Sequence, residues 1–75
     1  MNHTLWTVDI PIQTPAGTGV QTFVVDQPDH GSAVDQALAD AMSATARTHR
    51  RHAPLLIERP GQITAAPWRQ MDSLL

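Results

Sequence analysis

Apolar and polar residues alternate along the segment Leu5–Ile12, and this period of two predicts a half-buried β-strand. One face of the strand carries Trp6, Val8, Ile10 and Ile12, and the other carries Thr7 and Asp9. Pro11 has no backbone N–H to donate, so the strand is expected at a sheet edge, or with this nitrogen turned to solvent.

A second strand is predicted at Val20–Asp26, where β-branched and aromatic residues dominate. Its two faces carry Phe23 and Val25 on one side, and Val20, Thr22 and Val24 on the other. The intervening segment Thr14–Gly19 contains one proline and two glycines, which supply the backbone angles of a hairpin loop. The two strands therefore predict an antiparallel hairpin.

A period of 3.6 residues follows and predicts one amphipathic helix that begins at Ser32. Ser32 and the acid at Asp35 resemble a capping box, and Asp35 would lie in the first turn. The apolar stripe consists of Val34, Ala37, Leu38, Ala41, Met42 and Thr45. Because this stripe is rich in alanine, we expect the helix to lie close against a sheet.

Two short apolar runs after the helix, Leu55–Ile57 and Ile63–Ala65, predict a second hairpin around a type II turn at Arg59–Gln62. The predicted fold class is therefore α+β: a small antiparallel sheet in the order β-β-α-β-β with one amphipathic helix packed across it. Residues 1–66 are expected to form this single domain. Residues 67–75 are expected to form a C-terminal tail with the spacing of a short helix.

Length and composition narrow the classes of function. A chain of 75 residues has room for one thin core, and without cysteine it has neither disulfides nor thiolate metal ligands. The segment Met1–Trp6 carries no basic run, and no long apolar stretch follows, so we expect a cytoplasmic protein. Chains of this size often gain burial by pairing, and a homodimer is one expectation.

The patterns of catalytic and metal-binding residues favour a binding protein over an enzyme. None of the serines has a Gly-x-Ser-x-Gly context, and Asp35 and Asp40 do not share a helix face. His49 and His52 lack the further ligands of a zinc motif. So thin a core also predicts no cavity of ligand size. We therefore expect no catalytic residue, no metal site and no cofactor.

Charged and aromatic residues suggest surfaces that a protein partner would contact. The candidate residues are Asp26, Asp29, Asp35 and Asp40, which could meet a basic partner, and Trp68, Arg69 and Met71, which are of types enriched at interfaces. The acids equally suit a plain solvated surface. Trp68 equally suits a contact with its own sheet or with a second copy.

The segment 47–52 concentrates positive charge and is the candidate site for an anion or a nucleic acid. Its candidate residues, together with one arginine downstream, are Arg47, His49, Arg50, Arg51 and Arg59. The same residues suit the solvated end of a helix. The net charge is −2 and no aromatic residue interrupts the cluster, so an acidic protein is favoured over nucleic acid as partner.

The run Thr22–Asp26, a short Pro/Gly break and then Ser32–Met42 resemble a strand-to-helix unit common in very small phage and plasmid proteins. Some anti-CRISPR proteins, which inhibit bacterial CRISPR-Cas complexes by binding them, are similar in size and in this order of elements. The likeness covers residues 20–42 and carries over no functional residue. It implies a stoichiometric inhibitor that docks on a larger protein or nucleoprotein complex. The leading hypothesis is a non-enzymatic interaction protein; the alternative is a small nucleic-acid-binding or regulatory protein.

Overall fold

A computed structural model describes residues 4–57 and 62–68 of the chain. Its elements are, in order, β1 (Thr4–Thr14), β2 (Gly17–Gln27), α1 (His30–Ala41), α2 (Ala44–His49) and β3 (Thr64–Pro67). The sheet is antiparallel with the strand order β2-β1-β3. The predicted α+β class with a small antiparallel sheet is confirmed. The predicted order with a single helix is not, because the described residues form two helices and three strands.

The predicted first hairpin is confirmed, with longer strands and a tighter turn. The register pairs Thr14 with Gly17, so only Pro15 and Ala16 lie between the strands. Gly17 has a φ of 127°, a backbone angle that glycine adopts without steric cost. The hydroxyl of Thr14 donates to the carbonyl of Gly17 over 2.7 Å and closes the turn.

The central strand of the sheet is β1, so of the two alternatives expected for Pro11, a strand at the sheet edge is wrong. On the side of β1 away from β2, the pairing with β3 spans only Trp6 to Asp9. Beyond that point Leu56 N donates to the carbonyl of Pro11 over 2.8 Å. A residue without an N–H is tolerated here because the regular ladder is interrupted where β1 changes partner.

The two apolar runs after the helices both pair with β1 and not with each other, so the predicted second hairpin is wrong. Leu55 forms an isolated bridge with Ile12, and β3 runs antiparallel to the start of β1. The strand includes Pro67, which the sequence assigns to the tail. The predicted turn at residues 59–61 and a helix in residues 69–75 lie outside the described residues.

The first helix begins at His30 because Asp29, and not Ser32, is its cap. The carboxylate of Asp29 accepts the backbone N–H of Ser32 over 2.8 Å, and Asp29 itself is extended, as an N-cap requires. The predicted start at Ser32 is therefore wrong. Asp35 consequently lies beyond the first turn, contrary to expectation.

The single long helix predicted from the periodicity is interrupted between α1 and α2. Ser43 is extended and its hydroxyl accepts the backbone N–H of Ala46 over 3.1 Å, which starts a new helix. The interruption shifts the phase of the apolar stripe. Met42 is therefore 54% exposed and Thr45 is also exposed, although both were expected on the covered face.

The core lies between one face of the sheet and the helices. Val8 and Ile10 are completely buried, as is a row of alanines four residues apart on α1: Ala33, Ala37 and Ala41. Side chains this small let the helix approach the strands closely, which confirms the expected alanine-rich packing. Neither helix in the described part of the chain has the length and apolar character needed to cross a membrane.

Candidate functional site

The two faces of the sheet differ in what covers them. α1 contacts all three strands on the face that carries Val8, Ile10 and Val25, and α2 reaches the same face, where the side chain of Gln21 donates to Ala46 O over 3.0 Å. Within residues 4–57 and 62–68, neither helix packs on the opposite face. We call this opposite side the open face; its residues include Leu5, Thr7, Asp9, Pro11, Val20, Thr22, Val24, Asp26, Thr64, Ala66 and Trp68.

The open face exposes several large apolar side chains. Val20 and Val24 are 59% and 58% exposed, and Leu5 is 40% exposed. Trp68 follows β3 and lies opposite Leu5, because its backbone N–H donates to the Leu5 carbonyl over 2.7 Å. The side chain of Trp68 is 44% exposed. Sequence reasoning singled out only Trp68 among these four. The sequence contained one indication of the exposed valines, because β2 carries apolar residues on both of its faces.

The charged groups of the open face in the described residues are both carboxylates. Asp26 lies opposite Leu5, and Asp9 lies opposite Thr22 on the neighbouring strand. The hydroxyl of Thr22 donates to Asp9 over 2.6 Å, which holds that carboxylate against the sheet surface. The face therefore combines apolar side chains with negative charge.

The four acids proposed as one contact surface do not form one. Asp26 lies on the open face, whereas Asp35 and Asp40 lie on α1, on the other side of the sheet. Asp40 accepts a hydrogen bond from Gln36 over 2.9 Å. Asp29 caps α1, and the backbone N–H of Ser32 holds the pKa of Asp29 below its ordinary value. Of the tail candidates, Arg69 and Met71 lie outside the described residues.

The basic segment ends α2 in a Schellman motif. The backbone N–H of His52 donates to Arg47 O over 2.8 Å, and that of Arg51 donates to Thr48 O over 3.0 Å. Arg51 and His52 have φ angles of 53° and 61°, in the left-handed region where glycine is the usual residue. Two consecutive side chains therefore occupy a strained bend at the end of the helix.

Arg50 is the one candidate anion ligand in the described segment that serves the fold directly. Its guanidinium donates to Ala41 O over 2.7 Å, to Gln21 Oε1 over 3.1 Å and to Ala53 O over 2.9 Å. These bonds tie the end of α1 and β2 to the segment after α2. Sequence reasoning missed this role because the link to β2 depends on Gln21, which is 29 positions away along the chain.

The remaining basic candidates stay on the surface. Arg47, His49 and Arg51 are exposed. No carboxylate in the described part of the chain forms an ion pair with any of them. Arg59 lies outside the described residues. The segment therefore presents positive charge to solvent at the end of α2.

A groove of about 720 Å³ lies between the β1–β2 turn and the segment that follows α2. The groove is lined by the turn residues Pro15 and Ala16, by Ala53 and Pro54, and by the side chains of residues 49–51. The expectation that the chain has no volume of ligand size is wrong. The groove forms on the surface between two elements, so a thin core does not preclude it.

The described residues contain no group of three or more His, Cys, Asp or Glu side chains that could hold a metal ion. His30 packs edge-on against the ring of Trp6, with 5.8 Å between the ring centroids. Trp6 in turn donates its indole N–H to Gln27 O over 2.9 Å. These aromatic groups close one end of the core.

Comparison of the chain with protein-family models, with curated proteins and with solved structures finds no match.

Proposed function

We propose that this protein is a non-enzymatic interaction module that binds a larger protein through its open face. The observation that carries the proposal is the exposure of Leu5, Val24 and Trp68 on a sheet face that no described helix covers. Single exposed apolar residues are ordinary, but a contiguous apolar patch is typical of a contact site.

The strand register makes the apolar patch contiguous. Leu5 on the central strand lies beside Trp68, and Thr7 lies between Val24 and Ala66. Directly opposed side chains on neighbouring strands are about 5 Å apart at their Cβ atoms. The patch therefore crosses all three strands.

The charges of the open face define the chemistry of the partner. Asp9 and Asp26 are the charged residues that the described part of the chain places on the open face, and both are acids. Complementary potentials favour a partner whose contact surface has an apolar centre and a basic rim. Such a rim is typical of a protein surface that binds nucleic acid.

Occupation of such a surface would exclude nucleic acid from it. This outcome agrees with the stoichiometric inhibitor of a nucleoprotein complex that the strand-to-helix resemblance implies. The function we propose is therefore inhibition by occupancy, in which the bound module blocks a basic surface of a larger complex.

Photo-crosslinking in the cell that encodes the protein identifies the partner and tests the face. Benzoylphenylalanine replaces Ala66, which is exposed on the open face, or Ala39, which is exposed on α1. We expect a covalent adduct with a basic, nucleic-acid-binding protein from position 66 only. Equal adducts from both positions, or an acidic partner at position 66, would contradict the proposal.

Binding of the purified partner then measures the contribution of the patch. We expect Trp68→Ala to raise the Kd at least about tenfold, because a partly buried tryptophan is a typical hot spot. Ala39→Ser, on α1, should leave the Kd unchanged. Thermal unfolding of each variant checks that the fold persists. Wild-type affinity in the folded Trp68→Ala variant would rule out the patch as the contact.

The alternative function, nucleic-acid binding, is favoured by the exposed and unpaired Arg47 and Arg51 at the end of α2. A phosphate-binding protein loses affinity steeply as salt concentration rises. We expect the protein to show no such salt-dependent binding to duplex DNA. Binding with a steep slope that is lost in the double variant Arg47→Ala, Arg51→Ala would replace our proposal with the alternative.

A further inference from the structure

We propose that two copies of this chain pair through their β2 strands in antiparallel orientation and form one continuous six-stranded sheet, three strands from each copy. This inference goes beyond the proposed function, because it concerns an edge of the sheet and not its open face.

The outer edge of β2 presents backbone hydrogen-bonding groups. Leu5 and Pro11 direct their carbonyls to the side of β1 away from β2, where they accept the N–H groups of Trp68 and Leu56. Because backbone direction alternates along a strand, the even-numbered residues of β1 bond to β2. Their partners in β2 are the odd-numbered residues. The residues of β2 that direct N–H and C=O outward are therefore Thr18, Val20, Thr22, Val24 and Asp26.

This edge lacks the features by which edge strands usually avoid association. It is eleven residues long and contains no proline, lysine or arginine. Its register with β1 runs without a bulge from Thr4 opposite Gln27 to Thr14 opposite Gly17. Within residues 4–57 and 62–68, no other strand pairs with the outer side of β2. Within the described residues, the edge from Thr18 to Val24 is thus a template for another strand.

The sequence of β2 is self-complementary in one antiparallel register. A two-fold axis at Thr22 places each Val20 opposite Val24 of the second copy, and each Thr18 opposite Asp26 of the second copy. Cross-strand pairs of β-branched residues stabilise a sheet. This register uses all five outward-facing residues of each strand.

Electrostatics favour the same register. Asp26 is the one charged residue of β2. With the axis at Thr22 the two Asp26 residues are eight positions apart along the strands, a separation of about 27 Å. A register centred near Asp26 would oppose two carboxylates and leave most of the edge unpaired. The partner that this edge fits best is therefore a second copy in the Thr22-centred register.

A single introduced cysteine tests the register, because the chain has no cysteine of its own. The axis places the two Thr22 residues in a hydrogen-bonded pair, whose Cα atoms are about 5.5 Å apart, within the range that a disulfide spans. We expect Thr22→Cys to form a covalent dimer of twice 8.2 kDa under mild oxidation. Thr18→Cys is the matched control, since its two copies would be about 27 Å apart and should not link.

A proline at the same position tests the backbone pairing. Thr22→Pro removes an outward N–H without removing a bond to β1, whereas Thr22→Val keeps the N–H. In sedimentation over a concentration series we expect wild type and Thr22→Val to dimerise. Thr22→Pro should dissociate, with a Kd at least about tenfold higher.

Several results would overturn the proposal: a wild-type mass of 8.2 kDa at every concentration, equal cross-linking of the two cysteine variants, or equal dimerisation of a folded Thr22→Pro. If Thr22→Pro fails to fold, the comparison of Thr22→Cys with Thr18→Cys still tests the proposed register. A monomeric wild type would leave binding through the open face intact, so the two proposals fail separately.

Discussion

Val8 and Val24 are the same residue type on neighbouring strands of one sheet, yet Val8 is completely buried and Val24 is 58% exposed. Val8 faces the alanine row of α1, whereas Val24 faces the side on which no described helix packs. The difference teaches that burial of a strand residue depends on what covers its face and not on its own hydrophobicity. The covered face supplies stability, and the open face is available for recognition.

The largest expected effect comes from truncating a core residue on the covered face. Ile10→Ala should lower the free energy of unfolding by about 3 kcal/mol, because Ile10 is fully buried and the helix cannot close the cavity. Val24→Ala should change it by less than about 0.5 kcal/mol, since its side chain is already largely in solvent. Urea unfolding of both variants at low protein concentration measures the contrast. Similar losses at the two positions would show that the open face is also covered.

A smaller effect is expected at Arg50, whose hydrogen bonds join the helices to the sheet. Arg50→Ala should cost about 2 kcal/mol, because it removes charged hydrogen bonds that join the end of α1 to β2 and to the segment after α2. Arg47→Ala is the control, since Arg47 is exposed and should change stability by less than about 0.5 kcal/mol. The same unfolding assay compares them. An equal cost for both would mean that the Arg50 contacts contribute nothing specific.

The smallest effect is expected at Arg51, just after the end of α2, where a substitution should stabilise the fold. Arg51→Gly should raise the free energy of unfolding by about 1 kcal/mol, because glycine adopts the left-handed angle without the steric cost of a Cβ atom. Arg51→Ala keeps that cost and should leave stability near the wild-type value. A thermal melt distinguishes the two variants. A destabilised glycine variant would show that the arginine side chain contributes more than its backbone strain removes.

The features of the fold that the sequence predicts correctly are those that depend on patterns within short stretches of the chain. Alternation in β1 and β2 correctly separated Val8 from Thr7 and Val25 from Val24, and the hairpin followed from it. The helix start was misplaced because Asp29 and Ser32 are both good caps, and which one serves depends on where the preceding strand ends. The break at Ser43 was missed for the same reason: a serine after an apolar stripe can continue a helix or cap the next one.

Of the candidate site, the sequence indicated Trp68 and the basic segment but not the patch to which Trp68 belongs. The patch depends on β3 pairing with β1, which joins residues about sixty positions apart, and no local pattern encodes that pairing. The role of Arg50 likewise depends on Gln21, 29 positions away. The surface groove was missed because it arises between two distant elements.

The amino-acid order specifies the local geometry of this protein: a tight hairpin with two distinct faces, and an alanine-lined helix that fits against a sheet. Those features follow from backbone periodicity, steric limits and capping within a few residues. Tertiary structure determines which strand is central, which face the helices cover and which apolar residues remain exposed. These outcomes depend on contacts between segments far apart in sequence, because burial is a property of how segments meet.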